Sequence, residues 1–142
     1  MQVKDVMNSH VVRVTPDGTV TDAARLIGHY NVGALPVCTP DGRLRGIVTD
    51  RDIVLRCVAG DGETENMPVK EIMTRRVFTV SPEDDAVEAT RLMATEQVRR
   101  LPVVKDGRLV GVISLGDVAK TGEFGMEAAK ALRDISSNIR KR

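Results

Sequence analysis

The sequence predicts a mixed α/β fold in which one β-α-β-β-α unit is built twice. The first observation is an internal repeat: Val3–Met7 returns as Val69–Met73, at an offset of about 66 residues, and further matches follow in the same order. The second is that each repeat alternates short runs of β-branched residues with segments of helical spacing. Because neither copy alone could bury much of a core, we expect the two to pack together as a pseudo-twofold module.

Each repeat starts with a short lead segment and a first strand, Val11–Val14 or Val77–Val80. A Thr-Pro or Ser-Pro pair ends that strand, because the residue before proline avoids helical backbone. A segment of helical spacing follows, then a buried strand that an Asp-Gly turn joins to a third strand. Since the third strand runs into a closing helix, we expect a three-stranded sheet with helices on one face.

The repeats predict two domains, residues 1–60 and 67–121, joined by a polar linker over residues 61–66. Residues 122–142 predict a C-terminal amphipathic helix that packs on the module or on a second copy, because apolar residues recur there at helical spacing. These residues are Phe124, Ala128, Leu132, Ile135 and Ile139. The basic end, Arg140–Arg142, suits a solvated helix C-terminus.

Composition argues against several classes of function. Lys and Arg total 21 against 20 Asp and Glu, and aromatic residues make up 2% of the chain, which disfavours nucleic-acid binding. No apolar run approaches the ~18 residues of a membrane span, so we expect no membrane partner. Cys38 and Cys57 lack a Cys-x-x-Cys spacing, and we expect buried thiols in a cytoplasmic protein, with a disulfide as the alternative.

The junction between the third strand and the closing helix carries the same polar residues in both repeats. Thr49 ends an apolar strand and Asp52 follows in the first helical turn, and Ser114 and Asp117 occupy the matching positions. Such a junction is a place where a small polar ligand can bind. The alternative is that both acids only stabilise a helix N-terminus, by about 0.3–1 kcal/mol each.

The sequence offers little support for an enzyme or for a metal site. It contains neither a nucleophile–base–acid constellation nor a Gly-rich phosphate loop ending in Gly-Lys. His10, His29 and the two cysteines do not have the spacing of metal ligands, so we expect packing or surface roles for them.

The repeated unit resembles the CBS domain, and two such domains in tandem form what is called a Bateman module. The resemblance extends from about Val3 to about Lys120. It depends on four motifs that occur in both repeats: Thr/Ser-Pro, Leu-Pro-Val, Asp-Gly, and Gly followed by two apolar residues and Thr/Ser-x-x-Asp. The chain is similar to stand-alone bacterial proteins made of two CBS domains.

The resemblance implies a regulatory module that binds an adenosyl ligand, such as AMP, ADP or ATP, in clefts between the two units. The ligand would change the tilt of the units, and no cofactor would be required. The family also implies a homodimer and a regulated protein that the sequence does not identify. Alternative ligands are NAD(H), S-adenosylmethionine or a metal. The competing hypothesis is an interaction protein without nucleotide, whose C-terminal helix binds a partner.

The family further implies which residues bind. The motif aspartate holds the ribose hydroxyls and the motif hydroxyl lies near ribose and phosphate, which charge-assisted hydrogen bonds make chemically reasonable. One expected site comprises Val77, Phe78, Ser81, Arg99, Leu101, Val112, Ser114, Asp117 and Arg51. The other comprises Val11, Val12, Thr15, Leu35, Ile47, Thr49, Asp52 and Arg100.

The two expected sites differ in their cations. The second repeat has Arg99–Arg100 where the first has Gly33–Ala34, whereas the first has Arg51 where the second has Gly116. Since the planar guanidinium suits phosphate oxygens, we expect the Asp117 site to bind phosphorylated nucleotide more tightly. The alternatives are a solvated strand edge for the arginine pair and a surface ion pair for Arg51.

Overall fold

The structure is a computed structural model that describes residues 1–121 and 125–140, with only the backbone described at 125 and 137–140. Phe124, Lys141, Arg142 and the side chains of Ile139 and Arg140 therefore lie outside the described part of the chain. The chain divides into two compact units: one is Val12–Val77, and the other joins Met1–Val11 to Phe78–Arg142. We call them the Val12–Val77 unit and the split unit, and each is described by itself.

The Val12–Val77 unit contains an antiparallel hairpin, two helices and a 3-10 turn over Val69–Glu71. Its elements are α1 (Val20–Tyr30), β1 (Ala34–Cys38), β2 (Leu44–Thr49) and α2 (Asp50–Asp52), which continues as a π-helical turn over Ile53–Val58. In the β1–β2 ladder Ala34 lies opposite Thr49. The core consists of aliphatic side chains, among them the fully buried Val20, Leu35, Val37 and Val48.

The split unit repeats this arrangement and adds a helix. Its elements are α3 (Ala86–Glu96), β3 (Arg100–Lys105), β4 (Arg108–Ser114), α4 (Leu115–Ala119) and α5 (Gly125–Arg140). Arg100 lies opposite Ser114 in the β3–β4 ladder. The C-terminal helix α5 packs against α3 and α4 and buries Ala128, Ala131 and Ile135 in the core of this unit.

Helices α1 and α3 have defined ends. The N-cap of α1 is Thr19, whose hydroxyl accepts a hydrogen bond from the backbone N–H of Asp22 at 3.1 Å. Both helices end in a residue with left-handed backbone, Asn31 with φ 52° and Gln97 with φ 59°. Asparagine tolerates this conformation better than glutamine does, because its short amide can hydrogen-bond locally.

The predicted first strand of each repeat is reduced to a single bridge. Val14 pairs in parallel with Val37, donating to the carbonyl of Pro36 at 3.0 Å and accepting from the N–H of Cys38 at 2.9 Å. One step earlier in the ladder, the carbonyl of Val12 would need the N–H of Pro36, which proline lacks. The same happens at Val80 beside Pro102. The Leu-Pro-Val motif therefore limits each regular sheet to two strands.

Each lead segment packs on the hairpin of the other repeat. The N–H of Thr74 donates to the carbonyl of Ile47 at 2.8 Å and that of Ile47 to Thr74 at 2.9 Å, while Asn8 pairs in the same way with Val112. A Cβ on Gly46 would lie 2.6 Å from the Thr74 oxygen, so only glycine permits this approach. The repeats along the chain therefore do not coincide with the compact units in space.

Residues 61–66, the predicted linker, lie inside the Val12–Val77 unit and contact the start of α1. The carbonyl of Thr64 accepts from the N–H of Thr21 at 3.0 Å, and the carbonyl of Met67 accepts from Val20 at 2.9 Å. These bonds satisfy two of the N–H groups that a helix start leaves without an internal partner.

Two further expectations can be compared with the described residues. Cys38 and Cys57 are free and buried, which confirms the expectation of small buried thiols. Burial raises the pKa of the Cys38 thiol, an effect that the nearby Arg13 partly opposes. Among the described helices, none combines the length and the apolar character that crossing a bilayer requires.

Candidate functional site

The two strand–helix junctions form the same local structure. At the end of β2 the Thr49 hydroxyl accepts from the Asp52 N–H at 3.0 Å, and Asp52 Oδ2 accepts from the Thr49 N–H at 3.0 Å. At the end of β4 the corresponding distances for Ser114 and Asp117 are 3.1 and 3.2 Å. Each pair is a capping box, in which the hydroxyl residue is the N-cap of the helix that follows.

The Asp52 carboxylate has two further partners besides Thr49. The Thr74 hydroxyl donates to the carboxylate, 3.2 Å from Oδ1 and 3.3 Å from Oδ2, and Arg56 Nη1 lies 3.4 Å from Oδ1. The Asp52 side chain is only 9% exposed. A buried carboxylate needs such partners, because an unpaired charge away from water is costly. The Asp52 carboxylate is therefore held in the capping box, and Arg56 of the same unit compensates its charge.

Asp117 has fewer partners. Its Oδ2 accepts from the Ser114 N–H, and no described residue donates a hydrogen bond to Oδ1 or forms an ion pair with it. The residue is half-buried. Asp117 thus combines a fixed position at a helix N-terminus with an oxygen that is available for a ligand.

The apolar site residues are placed close to these junctions along the strands. Leu35 and Leu101 lie next to the strand starts opposite Thr49 and Ser114, but their side chains are fully buried, so only their backbone could contact a ligand. Ile47 and Val112 are half-buried two residues before the capping hydroxyl. Val12 and Phe78 pack against the cores of their own units.

Thr15 and Ser81 are not brought together with the junctions. Val14 bridges Val37, which lies three residues along β1 from Ala34, the partner of Thr49. Because the bridge is parallel, Thr15 continues away from Thr49 towards the hairpin turn. It lines an open depression of about 400 Å³ with Gly18, Asp22 and Arg25 among others. Ser81 follows Val80 in the same way in the split unit.

The arginines and the strand-start residues divide between the units. Arg99 and Arg100 are exposed and belong to the split unit with Asp117, where the Arg99 carbonyl accepts from the N–H of Leu115 at 3.0 Å. Arg51 is exposed and belongs to the Val12–Val77 unit. The predicted assignments of Arg51 and Val77 to the Asp117 site, and of Arg100 and Val11 to the Asp52 site, join residues of different units and stay predictions.

Sequence reasoning missed Arg56 and Thr74 as partners of Asp52. Arg56 follows Asp52 by four residues, a spacing that places the two side chains on one helix face, so it could have been found. Thr74 lies 22 residues from Asp52 in the chain. Nothing in the local pattern indicates that contact, which arises from the packing of the lead segment on β2.

Metal binding was one of the alternatives. Across the described ranges, no three or more His, Cys, Asp or Glu side chains are grouped so that they could hold a metal ion.

Comparison with known sequences identifies the family. The model of the CBS domain matches residues 3–58 and 69–122. The CBS domain-containing protein YhcV of Bacillus subtilis is 43% identical over 136 residues, which cover 94% of each chain. Hypoxic response protein 1 of Mycobacterium tuberculosis is 35% identical over 117 residues, 82% of each chain.

Solved structures agree with the fold. Hypoxic Response Protein I with two coordinated zinc ions superposes with a TM-score of 0.77 at 34% identity, covering 84% of this chain and 98% of that one. CBSX2 in complex with AMP superposes with a TM-score of 0.74 at 30% sequence identity, covering 85% of this chain and 95% of that one. The CBS domain pair of MJ0100, in complex with 5′-methylthioadenosine and S-adenosyl-L-methionine, superposes with a TM-score of 0.73 at 27% sequence identity. The match covers 86% of this chain and 99% of that one.

Proposed function

Because the chain belongs to the CBS domain family, we propose that it is a regulatory module that binds an adenosyl ligand and has no catalytic activity of its own. The ligand class is that of the adenine nucleotides AMP, ADP and ATP. Two structural relatives were solved with AMP or with S-adenosylmethionine and methylthioadenosine, which supports this class.

The observation that carries the proposal is the Asp117 carboxylate. Oδ2 is held by the Ser114 N–H at 3.2 Å, which fixes the group, while Oδ1 accepts nothing from any described residue. An ionised carboxylate in this state can accept hydrogen bonds from both hydroxyls of a ribose cis-diol. Arg100, opposite Ser114 in the ladder, and Arg99 place exposed cations in the same unit for a phosphate.

The test is a calorimetric titration of AMP into the wild-type protein, Asp117→Asn and Asp106→Asn. Asp106→Asn is the matched control, because it makes the same charge change in the same unit at an exposed turn whose left-handed backbone suits asparagine. Hydrogen bonds to a charged group contribute about 1.5–3 kcal/mol, so Asp117→Asn should weaken binding at least about tenfold. Asp106→Asn should bind as the wild type does.

The ribose diol itself can be tested with 2′-deoxy-AMP. If Asp117 accepts from the diol, the wild type should bind 2′-deoxy-AMP more weakly than AMP, and Asp117→Asn should show a smaller difference between the two. Equal losses in both proteins would contradict the role given to Asp117. ATP, NADH and S-adenosylmethionine belong in the same titration, because they share the adenosyl group and differ in the substituent on its 5′ carbon.

A second candidate function is that of an interaction protein, and an exposed apolar stripe favours it. Val54, Leu55 and Val58 lie on the helical segment after Asp52 and are 55%, 50% and 58% exposed. We propose a second copy of the chain as the partner of this stripe, which would make the protein a homodimer in the cytoplasm. Sedimentation of the wild type and of Leu55→Glu would detect it, since a charge in an apolar interface disfavours association.

A further inference from the structure

The carboxylates of Asp52 and Asp117 differ in how many hydrogen bonds they can still accept. A carboxylate offers about four lone-pair positions, and a cis-diol requires two of them. Among the described residues, Asp117 uses one, for the Ser114 N–H. Asp52 accepts two hydrogen bonds, from the Thr49 N–H and the Thr74 hydroxyl, and Arg56 Nη1 forms an ion pair with it at 3.4 Å from Oδ1. Because the Asp52 side chain is only 9% exposed, a diol could reach the carboxylate only by displacing Thr74 or Arg56.

The residues that occupy Asp52 are not repeated at Asp117. Asn8 stands where the first site has Thr74, and it makes the same backbone bridge, with Val112. Its side-chain oxygen accepts from the N–H of His10 at 3.0 Å instead of contacting the aspartate. Thr121 stands where the first site has Arg56, and its hydroxyl donates to the carbonyl of Val118 at 2.7 Å.

Arg56 and Thr74, the partners of Asp52, also hold the lead segment of the second repeat in place. Arg56 Nη1 donates to the carbonyl of Ile72 at 3.0 Å, and it lies 3.4 Å from both the Met73 carbonyl and the Thr74 hydroxyl. A diol that displaced Thr74 and Arg56 from Asp52 would therefore also remove bonds that hold residues 72–74. Occupation of this site costs protein contacts that occupation of the Asp117 site does not.

We propose that Arg56 and Thr74 determine which of the two sites accepts a ribose diol: they close Asp52 and leave Asp117 open, so that each chain binds one adenosyl ligand. We call the set of contacts among Asp52, Arg56 and Thr74 the Asp52 latch. This inference rests on the proposed function, because it assumes that the diol is held by the motif aspartate. It adds that Asp52 serves to hold the lead segment and not to bind the nucleotide.

The experiment exchanges the two sets of residues. Arg56→Thr with Thr74→Asn gives the first site the residues of the second, and Asn8→Thr with Thr121→Arg does the reverse. AMP is titrated calorimetrically into the wild type and both double variants. We expect one AMP per wild-type chain, two in the first double variant, and affinity at least about tenfold weaker in the second, since a hydrogen bond to a charged group must be broken.

Two results would overturn the latch. One is a wild type that binds two AMP molecules and loses one on Asp52→Asn. The other is an Arg56→Thr, Thr74→Asn variant that is folded by circular dichroism and still binds one AMP. If this variant does not fold, Thr74→Asn alone and the reverse exchange give the same comparison.

Hydrogen exchange in the ligand-free protein separates the latch from the proposed function. Removing Arg56 or the Thr74 hydroxyl should speed exchange of the Thr74 amide by about tenfold, because residues 72–74 lose their hold on α2. Unchanged exchange would overturn the latch even if AMP binds. No AMP binding by any variant, together with faster exchange, would instead overturn the proposed function and leave Asp52 as a purely structural latch.

Discussion

A single methyl group added at Gly46 should separate the lead segment of the second repeat from the hairpin of the first. A Cβ there would lie 2.6 Å from the backbone oxygen of Thr74 and 3.0 Å from the sulfur of Met73. The sulfur belongs to a flexible side chain and can move, but the oxygen is backbone and takes part in the bridge to Ile47. Gly46→Ala should therefore displace residues 73–74 from β2.

The loss of stability in Gly46→Ala depends on the hydrogen bonds that the displacement would break. The bridge contains two backbone hydrogen bonds, of 2.8 and 2.9 Å between Thr74 and Ile47, and each contributes about 1 kcal/mol net. Replacing glycine by alanine also restricts the unfolded chain, which stabilises the folded state by about 0.4–1 kcal/mol. The net expectation is a loss of about 1–2 kcal/mol in the free energy of unfolding.

Gly28→Ala is the matched control, because among the described residues no atom outside its own helical turn lies within 4 Å of the Cβ it would add. Gly28 lies in α1, where alanine is favoured over glycine by about 0.8–1 kcal/mol. Urea unfolding followed by circular dichroism should thus give opposite signs for the two substitutions. A Gly46→Ala protein as stable as the wild type would contradict this expectation, since it would mean that the lead segment does not approach β2 closely enough to exclude a methyl group.

Three other predictions concern stability. Gln97→Gly should raise the free energy of unfolding by up to about 1 kcal/mol in a thermal melt, since glycine relieves the left-handed backbone, with Asn31→Gly gaining less. Ile135→Ala should lower the free energy of unfolding by about 2–4 kcal/mol, because the Ile135 side chain of α5 is buried, whereas Met126→Ala at an 86% exposed position should have little effect. Equal losses would show that α5 does not pack on α3 and α4. Because the pKa of Cys38 is raised, the contribution of its thiol to the free energy of unfolding is complete below the ordinary thiol pKa of about 8.5 and is lost as pH rises through the higher folded value. The stability of the wild type should therefore fall more steeply between about pH 8 and 10 than that of Cys38→Ala. Parallel stability curves for the two proteins would contradict this.

The shortened first strand is a feature that the sequence contains and that the repeat pattern alone does not reveal. The Leu-Pro-Val motif is part of the repeat, and a proline in the middle of a ladder removes a donor. Given the parallel Val14–Val37 bridge, Pro36 explains why the carbonyl of Val12 cannot continue the ladder. Similarly, the spacing of Asp52 and Arg56 indicates an ion pair on one helix face. The Asp52–Arg56 spacing is local and could be found from the sequence, whereas the register that sets Val12 against Pro36 depends on the tertiary structure.

The duplication can be found from the pattern of the sequence alone, as can the order of helices and strands after the first strand and the two capping boxes. These depend on contacts between residues a few positions apart, such as Ser114 with Asp117, and the spacing alone specifies them.

The hydrogen bonds that each motif aspartate can still accept depend on how the chain folds. Thr74 reaches Asp52 because its lead segment packs on β2, and Asn8 leaves Asp117 open although its lead segment packs on β4 in the same way. The capacity of a carboxylate depends on the donors that the folded chain brings within hydrogen-bonding distance. Those donors come from positions far along the chain, whose proximity no local pattern records.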